Sequence, residues 1–305
     1  MGRFYIPKEF QERYKKIFED WEEFVSTIKI PLPVSIRINS IKNGEDAIEL
    51  LSKFKLEKFK WYNKGYRLRN PKGIGKSIPY FLGKIMVQEE VSMIPPILME
   101  IEPKMKILDM AAAPGSKTTQ ISDLMENTGL LVANEVSISR TRGLYSNIER
   151  AGVLNTTIII ADGRLYGKYK PEYFDRVLLD APCSSEGTVR KNRSIFYRWK
   201  TGIIKRMSHL QKAMIASAYR TLKKNGIMVY STCTFSPEEN EEVVDHLIKK
   251  EKNVEIMKIN INLKTRGGIT KWNGKQFSKE VKKCIRIAPQ DNNTGGFFIA
   301  KIRKN

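Results

Sequence analysis

The chain has 305 residues and carries 54 Lys and Arg against 33 Asp and Glu, a net charge of +21; it is longer than one average domain, and its charge favours a polyanionic partner, nucleic acid ahead of an acidic membrane. Three cysteines make no disulfide framework, and with two histidines and no paired Cys-x-x-Cys they leave no metal site. The opening MGRFYIPKEFQERYKK lacks the apolar stretch of a signal peptide, and no run approaches the ~18 apolar residues of a membrane span, so a soluble, cytoplasmic protein is expected.

Residues 1–28 place Phe10, Tyr14, Ile17, Phe18, Trp21 and Val25 at helical spacing, predicting an amphipathic helix whose aromatic stripe is core. PLPVSIRINS then reads as a short alternating strand, GEDAIELLSKF as a helix and KLEKFKWYNKGYRL as one or two strands, together a small α/β module. After the Gly- and Pro-containing NPKGIGKSIPYFLGK, the stretch VQEEVSMIPPILMEI reads as a helix broken by Pro95 and Pro96.

From Met105 the pattern changes to buried strands alternating with amphipathic helices: KILDMA, LLVANEV, TTIIIADG, FDRVLLDAP, GIMVYSTC and VEIMKIN. Apolar runs separated by helices predict a mostly parallel, doubly wound sheet. KCIRIAP and GGFFIAKI, joined by QDNNT, read as a closing hairpin at one edge. The expected division is a helix at 1–28, a small α/β unit at 29–95 and an α/β core at 96–305.

Ligands of doubly wound sheets sit beyond the carboxyl ends of the strands. The first such end, DMAAAPGSKTTQ, has small residues that let a ligand approach the backbone before a helix begins near Gly115. Glu135 ends the second strand and suits both hydroxyls of a ribose. Asp162, in ADGR, can accept from an adenine amine, and Asp180, in DAPC, enters the same crevice. Any one of these acids is as readily a helix cap, but four strand ends in register are harder to dismiss. With neither a nicotinamide G-x-G-x-x-G nor a Walker GK[ST] motif present, the pattern indicates S-adenosylmethionine.

Two cysteines, Cys183 in DAPCSS and Cys233 in STCTFSPEEN, lie where apolar strands give way to polar residues facing that crevice. Cys284, inside KCIRIAP, reads as an inert small hydrophobe. A crevice thiol would suit methylation of cytosine carbon 5, which becomes nucleophilic only after a thiolate adds to carbon 6. The segment EGTVRKNRSIFYRWK carries Arg190, Lys191, Arg193 and Arg198 among Phe196, Tyr197 and Trp199, the mixture of cations and rings that single-stranded RNA recognition uses. Arg37, in IRINS, is read with equal weight as an RNA contact or a surface cation.

DMAAAPGSKTTQ, NEVSISR, ADGR, LLDAPCSSEG and YSTCTFSPEENE, in that order, resemble the Nol/Nop/Sun family of RNA cytosine-5 methyltransferases over about residues 30–305. The resemblance implies a Rossmann-like S-adenosylmethionine-dependent methyltransferase core preceded by a small RNA-recognition-like α/β domain. It implies a cofactor loop at Ala111, Ala112, Ala113, Pro114, Gly115, Ser116 and Lys117, bordered by Arg140 and completed by Glu135, Asp162 and Asp180. It assigns the nucleophile to Cys233, product release to Cys183 and a hydrogen bond to cytosine N3 to Asp180. Many relatives have Cys at position 111, Gly at 116 and Gly at 185, where this chain has Ala111, Ser116 and Ser185.

The compact length resembles short archaeal-type tRNA enzymes, so tRNA is the expected substrate of a monomeric enzyme, with small-subunit rRNA or a non-catalytic RNA-binding assembly factor as alternatives. A DNA-type mechanism would make Cys183 the nucleophile, and an exocyclic-amine enzyme would carry an [ND]PPY-like motif where this chain has DAPC.

Overall fold

The computed structural model describes residues 5–305. The first four residues of the expected N-terminal helix lie outside this range. The rest of that segment is two helices, Lys8–Tyr14 and Trp21–Lys29, rather than one. Tertiary packing explains the break. In a continuous helix Phe18 and Phe24 would point about 120° apart, yet here their rings stack at 4.4 Å and both meet Phe235 edge-on. The aromatic stripe is buried, as expected: Phe10, Tyr14, Phe18, Trp21 and Phe24 join Phe196 and Trp199 in one cluster.

Strands β1 (Ser35–Ile38), β2 (Leu56–Lys58), β3 (Gly65–Leu68) and β4 (Ile85–Val87) form an antiparallel sheet in the order β2-β3-β1-β4. That order, with crossovers after β1 and β3, is the split arrangement of RNA-recognition-like domains. Two departures from the sequence reading occur here. β1 is buried along its whole length rather than on alternate residues, because the second sheet's helices cover its far side. GEDAIELLSKF is two 3-10 segments, Gly44–Ala47 and Glu49–Phe54, which still bury Ala47, Leu51 and Phe54. An added Cβ at Gly44 would stand 2.3 Å from the Lys84 carbonyl, so the crossover starts hard against the residue before β4. Pro95 and Pro96 do not break a helix either. They open Ile94–Leu98, where the missing N–H groups are unneeded.

The second sheet is built on five parallel strands, β5 (Lys106–Asp109), β6 (Leu130–Asn134), β7 (Thr156–Ile159), β8 (Phe174–Asp180) and β9 (Leu222–Thr232), in the order β7-β6-β5-β8-β9. Chain direction across the sheet reverses between β5 and β8, the place where such sheets bind ligands. Alternate residues face opposite layers: Leu108, Val177, Leu179, Met228 and Tyr230 meet the helices Thr201–Thr221 and Glu241–Lys250, whereas Ile107, Leu178 and Val229 meet Ile94–Leu98 and Ser116–Leu124.

Strands β10 (Val254–Met257), β11 (Arg266–Gly267), β12 (Lys271–Trp272), β13 (Lys275–Gln276), β14 (Ile285–Ile287) and β15 (Phe297–Lys304) follow. β14 and β15 are antiparallel as expected, but β15 is interior, paired with β9 on one side and with β14 and β10 on the other.

Polar contacts lock the two sheets together. Arg37 has no exposed surface; its Nη1 lies 3.3 Å from Asp123, and it donates to Gln88 at 3.1 Å and Thr119 at 3.0 Å. The sequence reading of Arg37 as an RNA contact or surface cation is therefore corrected: it is an internal strut whose partners come from distant segments. Asn39 donates to the carbonyls of Gly83 and Ala151, and Arg150 to those of Tyr80 and Ile85.

Removing Arg37 would leave buried Asp123 with Lys64 alone. Arg37→Ala is expected to cost roughly 3 kcal/mol of stability, read as a lowered urea midpoint; an unchanged midpoint with weakened RNA binding would contradict the strut.

Candidate functional site

β8 and β9 are parallel neighbours with Asp180 opposite Ser231. The chain turns out of the sheet just beyond this pair, and the turns bring Cys183 Sγ within 3.3 Å of Cys233 Sγ. Asp180 is held on both oxygens, Oδ1 accepting from Ser231 at 2.7 Å and Oδ2 from Lys117 at 2.6 Å. Burial pulls the Lys117 ammonium down, but Asp180 and Asp109 outweigh it and hold Lys117 above the usual lysine range. The hydrogen bond to Cys233, followed by burial, keeps the Cys183 thiol protonated far above its ordinary range, so Cys183 has a proton to offer its neighbour.

Two cavities meet at these residues. The first, about 370 Å³, is lined by Ala111, Ala113, Glu135, Arg140, Asp162, Asp180, Cys183 and Cys233, with Met110 and Met214 as apolar walls. The second, about 400 Å³, is lined by Gln88, Glu89, Ser116, Lys117, Asp180, Gly187, Lys191, Cys233 and Phe297. Asp180 and Cys233 border both. The wall of the second cavity needs glycine at 187, where an added Cβ would lie 2.1 Å from the Gly296 carbonyl.

The first cavity suits an adenosyl group. Glu135 Oε1 accepts from the Ser137 N–H at 3.0 Å, while its buried Oε2 has no hydrogen-bond partner, only ion contact with Arg140 at 3.0 Å. A buried acceptor oxygen left in this way is suited to a ribose hydroxyl. Arg140 also donates to the Ala113 carbonyl at 2.8 Å, bracing the loop. Asp162 is held below the usual carboxylate range first by its hydrogen bonds from Arg164.

The expected cofactor loop divides between the cavities. Pro114, Ser116 and Lys117 line the second cavity instead of the first, because the helix Ser116–Leu124 starts on that side. Ala112 and Gly115 line neither: the Ala112 N–H is taken by the Asn134 carbonyl, and Gly115, at φ 101°, packs against Leu144.

The basic segment is also only partly a surface. Arg190 is buried, donating to the carbonyls of Ile30, Pro31 and Thr294 and to Asn293, which corrects its reading as an RNA contact. Phe196 and Trp199 are core. Lys191, Arg193 and Arg198 remain exposed, although Arg193 donates to the Lys29 carbonyl and Arg198 to Ser194. Sequence reasoning missed Glu89 and two carboxyls behind the cysteines, Glu186 and Glu239. The only signal was the position of Glu186 and Glu239 within the two cysteine motifs.

Burial pushes two carboxyls up, Asp109 to about 7 and Glu239 to about 8, with the Glu186 charge adding to the latter. An acid raised in the folded state stabilises below its unfolded value and loses that contribution as pH rises through the folded value. Stability should therefore fall as pH rises from about 4, the ordinary carboxylate value, through about 7 and 8, and Asp109→Asn should flatten the lower part of the fall in a series of thermal melts; a rise over that window would contradict both assignments.

Residues 96–303 match the family described as 16S rRNA methyltransferase RsmB/F, and residues 6–90 the N-terminal domain of 16S rRNA methyltransferase RsmF. The chain is 46% identical to the tRNA (cytosine(49)-C(5))-methyltransferase of Pyrococcus abyssi over 98% of its own length and 96% of that protein. It is 39% identical to the ribosomal RNA small subunit methyltransferase F of Vibrio campbellii over 98% of its own length, spanning only 63% of that relative. Among solved structures, a methyltransferase homolog protein from Pyrococcus horikoshii superposes with a TM-score of 0.86 at 34% identity, covering 98% of this chain and 95% of that one. NSun6 from Pyrococcus horikoshii with SFG superposes at 0.83 with 25% identity and 98% coverage of each chain. The chain belongs to the RsmB/F, or Nol/Nop/Sun, family of RNA methyltransferases.

Proposed function

We propose that this chain, as a monomer in the cytoplasm, transfers a methyl group from S-adenosylmethionine to carbon 5 of a cytosine in tRNA, with Cys233 as the covalent nucleophile. The observation that carries the reading is the meeting of two cavities at Cys233 and Asp180. S-adenosylmethionine supplies an electrophilic methyl when bound, and Glu135, Asp162 and the Ala111–Ala113 backbone would hold it in the first cavity. The target base occupies the second cavity after leaving its stack, at a cost of a few kcal/mol, less where the RNA is already looped.

Cys233 Sγ adds to carbon 6, and the electrons displaced from the ring collect towards N3. There the Lys117–Asp180 pair holds an exchangeable proton between atoms 2.6 Å apart. When methyl has been transferred to carbon 5, the carbon 5 proton passes to water in the crevice, the proton at N3 returns to the Lys117–Asp180 pair, and the sulfur–carbon 6 bond breaks as the carbon 5–carbon 6 double bond re-forms. The departing Cys233 thiolate is received by the Cys183 S–H. The small sheet, within 29–95, and exposed Lys191, Arg193 and Arg198 hold the flanking RNA through its phosphates.

tRNA is favoured because the chain is 46% identical to the Pyrococcus abyssi tRNA enzyme, against 39% for the Vibrio campbellii rRNA enzyme. Small-subunit rRNA is the second reading, resting on the 39% identity to that relative.

The test is transfer of labelled methyl to unmodified tRNA and to small-subunit rRNA, with product mapped from cytosine 49 of tRNA outward. Label at cytosine carbon 5 of tRNA is expected, together with loss of at least roughly a thousandfold in rate for Cys233→Ala, as for removal of a nucleophile. Cys183→Ala should accumulate covalent RNA. Full activity of Cys233→Ala, or label in rRNA alone, would overturn the mechanism or the substrate respectively.

A further inference from the structure

Each cysteine is followed by a hydroxyl residue, Ser184 after Cys183 and Thr234 after Cys233. These hydroxyls are the middle members of a row of four oxygens. Glu239 Oε1 closely contacts Ser184 Oγ, Ser184 Oγ lies 2.9 Å from Thr234 Oγ1, and Thr234 Oγ1 closely contacts Glu186 Oε2. Four oxygens in a row make three close contacts, and each needs one proton; Thr234 Oγ1 also lies 3.4 Å from Glu239 Oε1, too long to compete with its close contact to Glu186 for the one hydroxyl proton. A hydroxyl owns a single proton, so Ser184 and Thr234 supply two. The third has to sit on a carboxyl.

The surroundings decide which one. Glu186 Oε1 accepts from Tyr14 Oη and Trp199 Nε1, both at 2.6 Å, and Oε2 also accepts from the Phe235 N–H at 3.2 Å. With Thr234 that makes four donors converging on one carboxyl, so both of its oxygens are taken up as acceptors. Glu239 receives the Ser184 N–H at 3.0 Å and Gln211 Nε2 at 2.9 Å, both on Oε2. Its Oε1, the oxygen in the row, is left to carry the proton.

We propose that Glu239 is a positioning residue kept as the neutral acid, its Oε1–H donating to Ser184 and so closing a one-way hydrogen-bond chain from Glu239 through Ser184 and Thr234 to Glu186 that sets the spacing of the two cysteine loops. The inference rests on the roles given to Cys233 and Cys183 above. When Glu239 ionises, Ser184 turns its only proton to that carboxylate. The Ser184–Thr234 contact then faces lone pair to lone pair, so the loops keep the bond from the Gly187 N–H to the Cys233 carbonyl at 2.8 Å but lose the side-chain tie next to the sulfurs.

The ionisable groups facing Glu239 are Glu186 and Cys183 on the loop after β8 and Tyr230 on β9, with Tyr14 of the first helix behind Glu186. Cys183, Tyr230 and Tyr14 all hold their protons well above their ordinary ranges. Glu239 is thus the member of this cluster that changes charge in mildly alkaline solution, opposite in effect to the gain of thiolate at a nucleophile.

The experiment is single-turnover methyl transfer to tRNA from about pH 6.5 to 9.5, with wild type, Glu239→Gln, Glu239→Ala, Ser184→Ala and Cys233→Ala measured in parallel. A glutamine N–H in place of the acid donates to Ser184 at every pH. Glu239→Gln should therefore keep the neutral-pH rate within roughly threefold and lose the alkaline decline, whereas Glu239→Ala and Ser184→Ala should fall by roughly tenfold to a hundredfold. Cofactor affinity, measured by calorimetry, should stay unchanged. Should Glu239→Ala fail to fold, Ser184→Ala tests the same chain. A Glu239→Gln rate as low as that of Glu239→Ala, a pH profile identical to wild type, or a fully active Ser184→Ala would each overturn the inference. An active Cys233→Ala would instead overturn the reading of the cysteines on which it rests.

Discussion

The site depends on one constraint of the parallel sheet: two strands side by side in the same direction must release their chains at the same edge. With Asp180 opposite Ser231, the residues two and three positions further on leave the sheet together, and Cys183 and Cys233 arrive 3.3 Å apart although 50 positions separate them. The same edge, at the reversal between β5 and β8, opens the crevice for a cofactor. One feature of topology therefore supplies both the sulfur pair and the place for the methyl donor.

The small antiparallel sheet contributes part of the second cavity's wall. β4 ends at the second cavity, where Gln88 and Glu89 form part of the wall opposite Lys117 and Phe297. A wall shared between two sheets keeps its shape only if they do not slide. Arg37 with Asp123, Asn39 with the Gly83 and Ala151 carbonyls, and Arg150 with the Tyr80 and Ile85 carbonyls make that junction polar and directional. Buried ionic groups of this kind add little net stability while resisting any rearrangement that would leave a charge unpaired.

What could be read in the sequence followed from how local its cause was. Strand ends such as DMAAAPGSK, DAPCSS and STCTFSPEEN pair an apolar run with a small or acidic turn, so the crevice residues Glu135, Asp162, Asp180, Cys183 and Cys233 were legible one by one. The class of the second sheet, mostly parallel and doubly wound, was legible because apolar strands alternate with helices, whereas the strand order of either sheet was not. The orientation of cations was not. Arg37 and Arg190 sit in basic, polar stretches and are buried because segments 50 to 160 positions away bring carboxylates and carbonyls to them. The break in the N-terminal helix came from Phe235, and the second cavity is assembled from residues between Leu32 and Phe297. No local pattern encodes such a wall. The division of the cofactor loop between two cavities was hidden for the same reason: Ala113 and Lys117 are four residues apart but face different spaces.

The central claim is that Cys233, rather than its neighbour Cys183, forms the bond to the base. Its most direct test is peptide mapping of a trapped complex formed with S-adenosylmethionine and RNA carrying 5-fluorocytosine, where fluorine at carbon 5 prevents the proton loss that releases the enzyme. A single nucleotide-bearing peptide is expected, with the modification on Cys233. Modification on Cys183, or a methylated product with no covalent species at any time, would contradict it.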